Sequence, residues 1–133
     1  MIRRTFVLLL ALALTGCALG PKVDSFAPAR SAAGIEASLA LDGGASAKGE
    51  LLAVEETALV LLNQKVVTRV PYSSIRSGTF PQSGVAITNG RFQNAESREK
   101  LRLLSRFPQG LTPPLLASLL AAYGQEAIAV LPR

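Results

Sequence analysis

The run Gly49-Glu50-Leu51-Leu52-Ala53-Val54-Glu55-Glu56-Thr57-Ala58-Leu59-Val60-Leu61-Leu62 decides the fold. Two apolar segments, Leu51–Val54 and Ala58–Leu62, flank a polar triplet. Segments of that length bounded by turn residues read as strands, and helices want longer periodic runs. Glu55-Glu56-Thr57 therefore makes a tight reversal, and the strand from Lys48 to Glu55 pairs back on Ala58–Leu62. The second of these is continuously apolar, as expected of a central strand covered on both faces. Gly49 reads as a bend or bulge.

Working outward, Ile35 to Leu41 alternates apolar with small or polar residues, and Asp42-Gly43-Gly44 follows as a turn where glycine accepts positive φ cheaply. On the other side, Asn63-Gln64-Lys65 turns the chain and Val66-Val67-Thr68-Arg69-Val70 returns, rich in β-branched residues. Pro71-Tyr72-Ser73-Ser74 breaks the ladder as a one-turn 3₁₀ link, and Ile75 to Phe80 is a fifth short strand. Five short meandering strands over residues 35–80 predict a small, strongly bent antiparallel β-barrel, with an open antiparallel sheet as the alternative. The run above, followed by Val70-Pro71-Tyr72-Ser73-Ser74-Ile75, resembles SH3-like and Sm-like small barrels. The resemblance implies a fold and no particular activity, since such barrels serve RNA-binding, peptide-binding and structural roles alike.

Residues 81–133 read as a connector and a helical pair packed on the barrel, so the fold class is α+β. Val85–Thr88 is a candidate strand, and Asn89-Gly90 a hairpin turn into Arg91-Phe92-Gln93. Asn94 caps a helix that should run to Phe107-Pro108, with Leu101/Leu104 and Leu103/Phe107 as its apolar stripe. Arg98, Arg102 and Arg106 recur every four residues on another face. Guanidinium groups bind phosphate and carboxylate bidentately, so this stripe is the candidate anion-binding site; the alternative is a solvated face partly neutralised by Glu99. Thr112 caps a second helix, Pro113 occupies its first position, and Gly124 stops it. Leu115, Leu116, Leu119 and Leu120 wrap it in apolar surface, which makes them core residues or a docking surface for a partner. Ala127–Leu131 is a candidate last edge strand.

The N-terminus carries a different message. Arg3-Arg4 precede a nine-residue apolar run, Phe6 to Leu14, and small residues follow. As a helix the run is about 13 Å long, too short to span a bilayer core of about 30 Å. This is the layout of a secretory signal peptide over residues 1–16. Leu14-Thr15-Gly16-Cys17 resembles the lipobox of bacterial lipoproteins, and Cys17 is the only cysteine. The resemblance implies lipid transfer to the Cys17 sulfur and cleavage after Gly16. An ordinary signal peptide cut after Ala18 is the alternative. In the lipoprotein family an Asp after the cysteine often signals inner-membrane retention. Ala18 stands there instead, which implies the outer membrane, facing the periplasm, in a diderm organism. Residues 17–34, with Gly20-Pro21, Pro28 and many Ala and Ser, read as a lipidated tether.

The chain is 133 residues long with a formal charge of +5. Charge is split: Cys17–Asn63 holds 3 basic and 6 acidic residues, and Gln64–Arg133 holds 9 basic and 3 acidic. A basic half on an anchored protein suits anionic headgroups or envelope polymers. Histidine is absent, which removes the commonest general base and metal ligand. Glu55 and Glu56 are adjacent, so they point to opposite faces of a strand. Ser73-Ser74 lacks a nucleophile-elbow frame, and Asp24, Asp42 and Glu50 do not form a calcium loop. The expectation is a non-catalytic, lipid-anchored envelope protein without metal, cofactor or nucleic-acid partner. It binds or scaffolds at the envelope, or serves as an accessory subunit docked through residues 113–123.

Overall fold

The computed structural model describes residues 33–132. The signal peptide, the lipobox residues Leu14, Thr15 and Gly16, Cys17 and all but the last two tether residues lie outside the described residues.

Eight strands form one sheet: β1 (Glu36–Leu41), β2 (Ser46–Val54), β3 (Ala58–Asn63), β4 (Val66–Pro71), β5 (Ile75–Thr79), β6 (Ala86–Thr88), β7 (Arg91–Phe92) and β8 (Ala129–Val130). Two helices, α1 (Ala95–Leu104) and α2 (Pro113–Ala122), complete the unit. The order across the sheet is β7-β6-β5-β1-β2-β3-β4-β8. All pairs are antiparallel except β4 with β8. The class is α+β, as the sequence predicts.

Closure into a barrel is corrected. The sheet is open, with β7 and β8 at its two edges, and it has eight strands where about five are expected for the barrel. The extra strands are two or three residues long. They come from the segments after Phe80 and widen the sheet beyond the five-strand meander. The fifth strand ends at Thr79, one residue short of the expected Phe80.

Each face of the central strands has its own apolar cluster. Leu39, Leu41, Leu51, Leu59, Leu61, Val70, Ile75 and Ile87 meet Leu101 of α1 on one face. Leu52, Ala53, Val60 and Val67 meet Leu120 of α2 on the other. This explains why β3 is apolar without alternation: Leu59 and Leu61 face one cluster and Val60 the other. Strand β2 carries a bulge between Leu51 and Ala53, which brings neighbouring Leu52 and Ala53 onto the same face. Gly49, where a bulge is expected, keeps regular register opposite Ala37. Its role is close approach instead, because a Cβ there would lie 2.1 Å from the Leu62 carbonyl oxygen.

The bulge also opens backbone groups of β2 to other segments. Leu51 donates its N–H to the Ile35 carbonyl at 2.8 Å. Its own carbonyl accepts from the Arg106 N–H at 3.0 Å, and that of Leu52 from Phe107 at 2.9 Å. The chain leaving α1 is thereby held against the bent strand. Here a second correction falls. Helix α1 stops at Leu104, with Ser105 extended, three residues before the expected Phe107-Pro108. Bonding Arg106 and Phe107 to β2 requires extended backbone, and this outweighs the helical periodicity.

Helix α1 begins as expected, the Asn94 side chain accepting from the Ser97 N–H at 2.8 Å. Only Leu101 of its apolar residues is buried; Leu103 is 60% exposed. The expected stripe is thus narrower than its spacing suggests. Helix α2 starts at Pro113 behind the Thr112 cap, and Gly124 follows its end with φ of +67°. It covers the sheet with Leu116, Leu119, Leu120 and Tyr123, and leaves Ala117, Ala121 and Ala122 exposed. An all-round apolar helix can sit on one side in this way because the outward positions are mostly alanines.

Candidate functional site

The polar side chains converge where β2 leaves the sheet. Glu55 follows β2, Arg69 lies on β4, Tyr72 opens the 3₁₀ turn between β4 and β5, and Arg98 projects from α1. Arg69 grips the Glu55 carboxylate with two bonds, Nε to Oε1 at 2.7 Å and Nη2 to Oε2 at 3.2 Å. A planar guanidinium makes such a fork where a lysine would make a point contact. The Glu55 carbonyl accepts from Tyr72 Oη at 2.7 Å and from Arg98 Nη2 at 3.0 Å. The Tyr72 ring stands edge-on to Phe92 of β7, with centroids 5.4 Å apart. Helix α1 is in this way tied to the sheet by Leu101 beneath and Arg98 at its side.

Burial pushes the Tyr72 phenol above its ordinary pKa, and the neighbouring Arg98 opposes the rise. Glu99 is held below the carboxylate norm by its hydrogen bonds from Arg102, which is raised in return. Between Val54 of the sheet and Ala95, Arg98, Glu99 and Arg102 of the helix lies a cleft of about 200 Å³.

The arginines of the stripe occupy three separate settings. Arg98 lines the cleft and is bonded to Glu55. Arg102 also lines it, but its Nε and Nη2 go to Glu99 and its Nη1 to the Pro108 carbonyl. Arg106 lies beyond the helix, its Nε 2.7 Å from Glu50 Oε2 in an ion-pair contact without hydrogen-bond alignment. The same Glu50 oxygen accepts the Gly34 N–H at 2.8 Å. The four-residue spacing puts these residues on one face only if the helix continues, and it does not. Of the leucines, Leu116, Leu119 and Leu120 pack on the sheet, while Leu115 is half-buried on the helix flank.

Sequence reasoning passed over Glu55–Arg69, Tyr72 and Gln125. Gln125 accepts the Val67 N–H at 2.6 Å and donates to the Val67 carbonyl at 3.1 Å, so its amide stands in for a neighbouring strand. No local pattern signals a side chain 58 residues from its partner. Among the described residues no three His, Cys, Asp or Glu are grouped to hold a metal ion, and no helix is long and apolar enough to cross a membrane. No family model, curated protein or solved structure matches the chain.

Proposed function

We propose that this chain is a lipid-anchored cell-envelope protein that binds or scaffolds without catalysis. The reading is carried by Leu14-Thr15-Gly16-Cys17 behind Arg3-Arg4 and the short apolar run. In this reading the unit that starts at Ala33 is the domain that the tether carries. The strand order β5-β1-β2-β3-β4 with a 3₁₀ turn between β4 and β5 supports the small-barrel resemblance for the central part of the open sheet.

The α1 cleft is the place where such a domain would take an anionic group. Arg98 is its least committed cation, and Arg102 is largely occupied by Glu99. An accessory-subunit role through α2 would use Leu115 and the exposed alanine flank, because Leu116, Leu119 and Leu120 are engaged with the sheet.

Replacement of Cys17 tests the anchor. The wild-type chain should carry acyl mass on Cys17 and require detergent for extraction, and Cys17→Ser should lose both properties. Membrane retention unchanged in that variant, with no lipid on the wild type, would overturn the reading.

A further inference from the structure

We propose that the C-terminal end of α1, bearing Leu103 and Leu104, docks on the lipid bilayer that holds the Cys17 anchor; this rests on the anchored reading above. Leu103 is 60% exposed and Leu104 37%. Neither belongs to the apolar cluster on either face of the sheet. Consecutive exposed leucines at a helix end make a compact apolar tip, and nothing in the domain's own packing accounts for it.

The chain's path says what covers the tip. Ile35 donates its N–H to the Leu104 carbonyl at 2.9 Å, and the Gly34 N–H goes to Glu50. The chain running back toward Cys17 therefore leaves the fold beside Leu104. Sixteen residues, Cys17–Ala32, separate the anchor from this point. At 3.3–3.6 Å per residue they reach at most about 58 Å. A lipid on Cys17 would confine this end of the domain near the bilayer. Weak contacts then act at high effective concentration, and two leucines suffice where they would not hold a free protein.

Charge agrees with a lipid surface. Lys100 stands one turn before Leu104, and Arg106 two residues after it. Long basic side chains keep their heads among anionic headgroups while neighbouring apolar groups enter the acyl boundary. Glu50 and Glu99 offset Arg106 and Arg102, so the leucines carry more of the contact than the charges do. Among the described residues, the other exposed large apolar side chains, Val66 and Val130, lie at the β4–β8 edge of the sheet.

The test uses the full lipidated chain in vesicles of zwitterionic and anionic phospholipid. Leu103→Cys and, separately, Lys48→Cys are labelled with an environment-sensitive fluorophore; the acylated Cys17 sulfur does not compete. Spin-labelled lipids should quench the probe at 103 several-fold more than the probe at 48, with a blue shift at 103 alone. Adding Leu104→Asp should bring the 103 signal toward that at 48. Equal, water-like signals at both positions on a chain with acyl mass would overturn docking and leave the anchor standing. A blue shift at 103 that grows with protein density and ignores lipid quenchers would assign the tip to a second copy of the chain, which also overturns it. Absence of acyl mass on Cys17 would remove the anchored reading and this proposal together.

Discussion

Three residues that look ordinary in the sequence hold the fold at specific points. Gly34 passes so close to the bent strand that a Cβ would lie 2.0 Å from the Leu51 oxygen and 2.8 Å from the Arg106 nitrogen. Backbone on both sides cannot yield easily, so Gly34→Ala should cost about 1–3 kcal/mol in a denaturant melt. Gln125→Ala should cost a similar amount, about 1–3 kcal/mol, because it strips partners from both backbone groups of buried Val67. Tyr72→Phe removes the bond to the Glu55 carbonyl and should cost about 0.5–1.5 kcal/mol at neutral pH. Its pH dependence has a definite sign. The folded phenol binds its proton more tightly than the usual 10.0 of a tyrosine. Its contribution is therefore complete below that value and is lost as pH rises above it toward the folded pKa. Wild-type stability should fall more steeply than that of Tyr72→Phe between neutral and strongly alkaline pH. Parallel slopes would show that Tyr72 does not titrate differently in the fold.

At the scale of elements, the leucines of the two helices make opposite predictions. Leu120 closes the cluster over Leu52, Val60 and Val67, and Leu120→Ala should cost about 2–5 kcal/mol. Leu103→Ala removes an exposed side chain and should stay within about 0.5 kcal/mol. Thermal melts of the two variants check the contrast. The elements themselves were legible wherever a local rule fixes them. The apolar run Ala58–Leu62 gave β3, Thr112-Pro113 gave the start of α2, and Asn94 gave the start of α1. Asn89-Gly90 marked the turn between β6 and β7, with both residues at positive φ. What a local rule does not contain was misjudged. The end of α1 is set by the Leu51 and Leu52 carbonyls of bulged β2, far away in the sequence. The Arg98, Arg102, Arg106 stripe inherited that error, since it assumed one helix where the chain turns extended at Ser105. Gln125 was illegible for the same reason: its meaning is the strand edge it covers.

At the largest scale, the folded unit is held by exchanges between residues 35–80 and the part that follows them. Residues 81–133 supply β6 and β7 beside β5, β8 beside β4, Leu101 to one cluster and Leu120 to the other. Residues 35–80 alone would leave Leu52, Val60 and Val67 uncovered on one face. Each fully buried aliphatic side chain is worth about 1.5–3 kcal/mol, a large share of the 5–15 kcal/mol that a small domain has in total. A chain stopped after Gly110, lacking α2, Gln125 and β8, should therefore fail to give a cooperative transition. The intact domain should unfold in one step, its calorimetric enthalpy equal to its van't Hoff enthalpy and near 60–80 kcal/mol, roughly the value for about 100 residues. Two resolved transitions, or a fragment of residues 35–80 with a cooperative melt of its own, would contradict this and make the C-terminal part a separable appendage. One step would mean that any partner or surface engaging α1 acts on the entire sheet, through Leu101 below the helix and Arg98 at its side.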